Sequence, residues 1–264
     1  MYFHHLHFYV KDTAVWKEWF VCKLGFQPAA VHALAVPTAP LKLVQSGIEI
    51  WLSGPEHASD VVRYLQHHPP GLVDIALATP RFESVLTQAQ KKGVTLLAPV
   101  SANTNGQRSC QLQGWDHLRH TLIEVSDEWI ESHQPPASAD IPLAGDASTP
   151  KPTWLSWIDH VVINVPQGQM QAAVAWYQKI FGLQLGQSFE INTAHSGLCS
   201  QVLIHPEGTL QIPINEPTSD SSQVQEFLHY NRGAGVQHVA LRSQNAVDAI
   251  AHFRNQGLQL LNVP

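Results

Sequence analysis

GLVDIALATPRFESVLTQAQKKGVTLLAPV, residues 71–100, aligns without gaps on GVQHVALRSQNAVDAIAHFRNQGLQLLNVP, residues 235–264. Each copy reads as a short apolar strand, a helix, a Gly that ends the helix, and a second strand carrying a Leu-Leu pair. The helical reading comes from apolar spacing: Phe82, Val85, Leu86 and Ala89 in one copy, Ala246, Ala249, Ile250 and Phe253 in the other. Gly93 and Gly257 are the expected helix stops. A repeat of this length means that the chain is assembled from copies of one supersecondary unit.

A weaker repeat pairs HLHFYV at His5 with HVVINV at His160, each leading into an aromatic-rich amphipathic helix. Val15, Trp16, Trp19 and Phe20 form the expected buried stripe of the first helix. Val174, Tyr177, Ile180 and Phe181, beside Trp176, form that of the second. Gly25 and Gly182 close the two helices at equivalent places. The chain thus holds four strand-helix-strand starts in two pairs. Between the pairs, residues 126–156 contain QPPASADIPLAGDASTPKP, a composition suited to an irregular connector. The expected domains are 1–125 and 157–264. The module at Gly71 continues through residues 101–125 with two further strand-like stretches, whereas the module at Gly235 has no such continuation before Pro264. The last module is therefore incomplete. An open apolar sheet edge favours association, so a homo-oligomer is expected.

Composition narrows the function classes. The net charge is -6, and Lys and Arg are scattered, which argues against a nucleic-acid binder. No apolar run approaches the roughly 20 residues of a membrane-spanning helix. The N-terminal MYFHHLHFYV reads as a strand, not a leader, and a cytoplasmic location is the expectation. Cys22, Cys110 and Cys199 are odd in number and widely spaced, signalling neither a disulfide framework nor a zinc site.

The 16 His are the unusual feature of the composition. Period-two alternation places Val236, His238 and Ala240 on one face of their strand, and His160, Val162 and Asn164 on one face of theirs. If the two modules form one cup, both imidazoles point into it. From the residues alone, a metal site and a pair of hydrogen-bonded core histidines both remain open.

WIDHVV at Trp157, the strand TLQIPINEP at 209–217 and NRGAGVQHVAL at Asn231 together resemble the catalytic domain of the 4-hydroxyphenylpyruvate dioxygenase family, in the vicinal oxygen chelate superfamily. The resemblance covers about residues 157–264; the N-terminal half resembles the family's non-catalytic domain only through the repeat. It implies an α+β fold of tandem βαβββ modules in two domains. It also implies Fe(II) as cofactor, with His160 and His238 as two of three ligands. Ser200, Asn215, Gln223 and Gln237 match positions lining the family's substrate pocket. Gln237 needs a bulge to turn inward, because alternation points it away. A strand-end turn is the other reading of Asn215.

The implied reaction joins 4-hydroxyphenylpyruvate, a 2-oxo acid, with O2 to give homogentisate and CO2, a step of tyrosine catabolism. Hydroxymandelate synthase, which takes the same substrate, is the first alternative, and a non-enzymatic remnant binding a small acid or partner is the second. The family's third ligand is a Glu on a late strand, and no residue up to Pro264 matches it. Glu190, Glu207, Glu216 and Glu226 lie on other segments. At the places that repeat His160 and His238, the N-terminal half carries His5 and Asp74, with Glu124 ending its last strand. A metal set of these three is one reading, and a purely structural domain, as the resemblance implies, is the other. His4, His5, His7, His67 and His68 read as surface or strand-start residues, and His195 as a loop residue near the pocket.

Overall fold

The computed structural model describes residues 1–29, 39–133, 154–192, 196–207 and 210–261. In chain order the first half holds β1 (Tyr2–Tyr9), α1 (Thr13–Leu24), β2 (Gln27–Pro28), β3 (Leu41–Gln45), β4 (Ile48–Ser53), α2 (Ser59–His67), β5 (Gly71–Thr79), α3 (Phe82–Lys91), β6 (Leu96–Ala102), β7 (Arg108–Gln113), β8 (Arg119–Glu124) and α4 (Asp127–Ser132). The second half holds β9 (Trp157–Asn164), α5 (Met170–Phe181), β10 (Gln184–Asn192), β11 (Gly197–Ile204), β12 (Gln211–Pro217), α6 (Gln223–Asn231), β13 (Gly235–Arg242) and α7 (Ala246–Asn255). The fold is α+β, built from strand-helix-strand modules in two halves as the family resemblance implies.

Strands of the first half form an eight-stranded sheet in the order β2-β3-β4-β1-β5-β8-β7-β6. Those of the second form a five-stranded sheet in the order β10-β11-β12-β9-β13. β1 and β9 occupy the same place: each pairs parallel with the strand before the small helix (β4, β12) and antiparallel with the strand after it (β5, β13). On its far side β5 pairs with β8, while β13 has no second neighbour among the described residues.

The helix ends behave as the sequence dictates. Asp12 and Asn245 cap α1 and α7, each accepting two backbone N–H bonds. The four glycine stops, Gly25, Gly93, Gly182 and Gly257, all have left-handed backbone, with φ of 80°, 74°, 68° and 73°.

Helix packing is less symmetrical than the repeat suggests. In α5, Val174, Tyr177, Ile180 and Phe181 are all buried, because the helix lies between its own sheet and α3 of the other half. α1 buries only Phe20 fully; Val15 and Trp19 are exposed, contrary to the expected stripe. In α7, Ala249 and Phe253 are buried but Ala246 and Ile250 are exposed; among the described residues the sheet beneath α7 has no strand beyond β13. No strand follows Gly257 among the described residues up to Leu261, where a second strand was expected.

The start of the expected connector is also ordered. Ser126 caps α4, and Ile130 and Trp129 pack against Tyr2, Ala76 and Ile123. This short helix belongs to the first sheet, since burying Ile130 outweighs leaving the segment irregular. The remainder, residues 134–153, lies outside the described residues.

Candidate functional site

The register of β9 against β13 builds the site. Val236 pairs with Ile163, but the next pair is His238 with Val162, so Gln237 is an extra residue on β13. Ala240 pairs with His160 and Leu241 with Ile158, so Asp159 is an extra residue on β9. Two compensating β-bulges, one per strand, therefore flank the histidines, and the register beyond them is restored. Directly paired residues share a face, so His238, Ala240, His160, Val162 and Asn164 all look into the cup. Val236 does not. The bulge turns it to the core side with Ile163, correcting the simple alternation, and leaves Ile158, Val161 and Ile163 together in the hydrophobic core.

Each bulge residue bonds the histidine that follows it. The His160 Nδ1–H donates to Asp159 Oδ2 at 2.8 Å, and Asp159 Oδ1 also accepts from Arg242 Nη2 at 2.9 Å. His238 Nδ1 lies 3.2 Å from Gln237 Oε1. With the amide oxygen as acceptor, Nδ1 carries the proton on both rings, and each Nε2 keeps its lone pair. The rings stand edge to face with centroids 5.9 Å apart. Desolvation first, and the neighbouring His160 second, hold the His238 imidazole below its ordinary pKa, which favours the neutral, metal-binding form.

A polar row crosses the same cup one strand-length away. Ser200 on β11 pairs with Asn215 on β12, Asn215 with Asn164 on β9, and Asn164 with Gly235 on β13. Ser200, Asn215 and Asn164 are all buried. Asn215 Nδ2 donates to Asn164 Oδ1 at 3.3 Å, while the buried Asn164 Nδ2 makes no hydrogen bond with a described residue. An unsatisfied amide at this depth points to a polar occupant of the cup. Asn164 was absent from the expected pocket residues, although its shared face with His160 was the signal.

The other expected residues fall as follows. Gln237 is turned beside His238 by its bulge. Gln223 is set apart, opening α6 from an exposed position. His195 lies outside the described residues. Among the described residues no group of three His, Cys, Asp or Glu side chains could hold a metal ion. Glu207 bonds the Met1 ammonium and Arg81, and Glu216 accepts from the N–H groups of Gly168 and Met170 at the start of α5.

The N-terminal cup repeats the device with other residues. Here His4 and Val73 are the extra residues of the bulges, and His5 and Asp74 stand where His160 and His238 do. Both are buried to about 1% exposure, so of the two readings of His5, surface or strand start, only the second holds. The His5 ring stacks on Trp51 at 3.7 Å, and Asp74 accepts from Thr121 N, Thr121 Oγ1 and Gln111 Nε2 at 2.8, 2.5 and 2.7 Å. Glu124 is committed elsewhere, to a bidentate pair with Arg108. The His5, Asp74 and Glu124 set is thus not assembled as a metal site. His68 is likewise buried, donating from Nδ1 to Asn231 O at 2.7 Å. With Asp116 Oδ2, which accepts from Ala234 N at 3.0 Å, it ties the first half to the loop that enters β13.

The geometry can be set beside known proteins. The model of the Glyoxalase/Bleomycin resistance protein/Dioxygenase superfamily matches residues 157–264. An uncharacterized protein of Synechocystis sp. is 31% identical over all of this chain and 73% of its own length. The 4-hydroxyphenylpyruvate dioxygenase of Caenorhabditis elegans is 29% identical over 99% of this chain and 70% of its own. The chain belongs to the 4-hydroxyphenylpyruvate dioxygenase family. In fold, a triple mutant of 4-hydroxymandelate synthase from Streptomyces coelicolor superposes over all of this chain and 77% of its own, with a TM-score of 0.82 at 22% identity. Membership makes the chain a dioxygenase-type protein of the vicinal oxygen chelate fold. No helix among the described residues is long and apolar enough to cross a membrane.

Proposed function

We propose that the C-terminal cup binds Fe(II) through His160 and His238 and serves the oxidation of 4-hydroxyphenylpyruvate by O2 to homogentisate and CO2. The observation that carries this reading is the pair of bulges. They bring two imidazoles together, with ring centroids 5.9 Å apart, and hold Nδ1 of each, leaving two Nε2 lone pairs that would hold one ion. When bound, the metal would supply open positions for a 2-oxo acid and O2.

The protein's own contribution is to hold and orient the substrate. The polar row of Ser200, Asn215 and Asn164 lies on the face that carries both histidines. Its unsatisfied Asn164 Nδ2 is a donor for a phenol or carboxylate oxygen. Asp159, held by Arg242, fixes the His160 tautomer. The strand network keeps these groups at fixed separations, as orientation in such a reaction requires.

The test is anaerobic Fe(II) titration of the wild type beside His160→Ala and His238→Ala. Loss of binding in both variants is expected, and equal affinity in all three would sink the proposal. Among the described residues no third metal-binding side chain stands beside the two imidazoles, so the binding expected in this titration is weak.

A further inference from the structure

The two cups differ at their metal ends, and that difference draws attention to the other end of the N-terminal one. Trp51, His5 and the Asp74 network fill the position equivalent to the histidine pair. The polar-row end stays open. Tyr9 takes the place of Asn164, pairing with Ser53 and Gly71 as Asn164 pairs with Asn215 and Gly235. Beyond it lies a cavity of about 570 Å³ between α2 and strands β6 to β8. That volume falls within the range of small-molecule sites, roughly 300–1,000 Å³.

The chemistry of the walls selects a ligand. Arg119, with its side chain 22% exposed, lines the cavity, and its Nη1 donates to Tyr9 Oη at 2.9 Å and Asp60 Oδ2 at 2.7 Å. Its Nε and Nη2 make no hydrogen bond with a described residue, nor does the guanidinium of Arg63 on the same wall. The carboxylates of the wall are already engaged, Asp60 by Arg119 and Tyr9, and Asp116 by Ala234 N and His117. Tyr64 stacked on His68, with Leu97, supplies an apolar flank. Two guanidinium groups with free donors line one cavity with the Tyr64 ring and Leu97, a combination that matches a carboxylate carried on a small ring.

We propose that this N-terminal cavity is a second small-molecule site, separate from the histidine pair, and that it takes a small organic carboxylate with a planar apolar body. Arg119 and Arg63 hold the carboxylate, and Tyr64 and His68 hold the ring. The reading does not depend on iron or on the reaction in the other cup.

The probe is 4-fluorobenzoate, titrated by fluorine NMR, beside the uncharged 4-fluorobenzamide. Proteins compared are the wild type, Arg119→Gln, Arg63→Gln and the double variant His160→Ala/His238→Ala. Expected is saturable binding of the acid that falls by about tenfold in each arginine variant, as the loss of one charge-assisted bond predicts. Binding should be unchanged in the histidine double variant and about tenfold weaker for the amide. If Arg119→Gln does not fold, Arg63→Gln decides, because the exposed Arg63 side chain bonds no described residue. The proposal is overturned if the acid does not bind up to about 20 mM, far above the micromolar-to-millimolar affinities such a site would have. It is equally overturned if the amide binds as well as the acid, if Arg63→Gln binds as the wild type does, or if binding is lost only with the two histidines.

Discussion

In the N-terminal sheet the bulge-borne pair is His5 and Asp74; in the C-terminal sheet it is His160 and His238, on corresponding strands at corresponding register. The first pair is sealed. Trp51 lies on His5, where the C-terminal cup has Pro213, and β8 and β7 reach over Asp74 with Thr121 and Gln111. The second pair is open: His238 is exposed, and β13 has no further neighbour among the described residues. The bulges are thus a property of the fold, which aims two side chains at one point. Whether that point becomes a packed network or a ligand set depends on the residues placed there and on the strands beside it.

Exchanging equivalent residues should break this contrast most visibly. Asp74→Ala strands the donors of Thr121 and Gln111 inside the cup and should cost about 3–5 kcal/mol in denaturant unfolding. His238→Ala, at the equivalent exposed place, should cost less than about 0.5 kcal/mol. Similar values for the two would show that the cups are not differently sealed. The helices give a second such pair, because Leu86 of α3 is buried whereas its counterpart Ile250 of α7 is 42% exposed. Leu86→Ala should cost about 2–5 kcal/mol and Ile250→Ala under about 1 kcal/mol.

Acid should act most on the first sheet, which holds three strongly lowered histidines, His5, His7 and His120, against His205 beside the second. Burial pushes His7 and His120 from the ordinary 6.5 down to about 4, and His5 is lowered in the same direction. Between those values the unfolded chain binds protons that the folded chain refuses. Stability is complete above about pH 6.5 and declines as pH falls toward 4, by up to ~3 kcal/mol per histidine. Urea midpoints measured across that window should drop, and His120→Leu should flatten the slope; an unchanged slope would remove His120 from the account. A last variant, with the smallest effect on folding, sharpens the open cup. Asp159→Ala frees the His160 ring and should weaken Fe(II) binding by about 10- to 100-fold with little change in stability.

Much of the architecture is legible locally. The alignment of residues 71–100 with 235–264 announces the modules, and the glycine stops sit where a left-handed residue is needed. His160 and His238 stand out through their place in the repeat and the family resemblance. The faces are less legible. Alternation assigns Val236 to the side of His238, and only the bulge at Gln237 reverses it. His5 and His68 read as surface or strand-start residues, and nothing nearby in sequence reveals Trp51 over one ring or the Asn231 carbonyl beside the other. Asn164 was visible as a neighbour of His160 on its strand, yet its alignment with Ser200 and Asn215 spans three strands far apart in sequence.

By itself the sequence determined the repeat, the helices with their ends, and the residue types available for chemistry, because these follow from short-range periodicity and side-chain identity. Tertiary structure alone decided which histidine is sealed and which is open, and which polar residues share a row. Those outcomes depend on strand register. A single extra residue, Asp159 on one strand or Gln237 on its partner, changes the face of everything beyond it until the opposite bulge restores the phase.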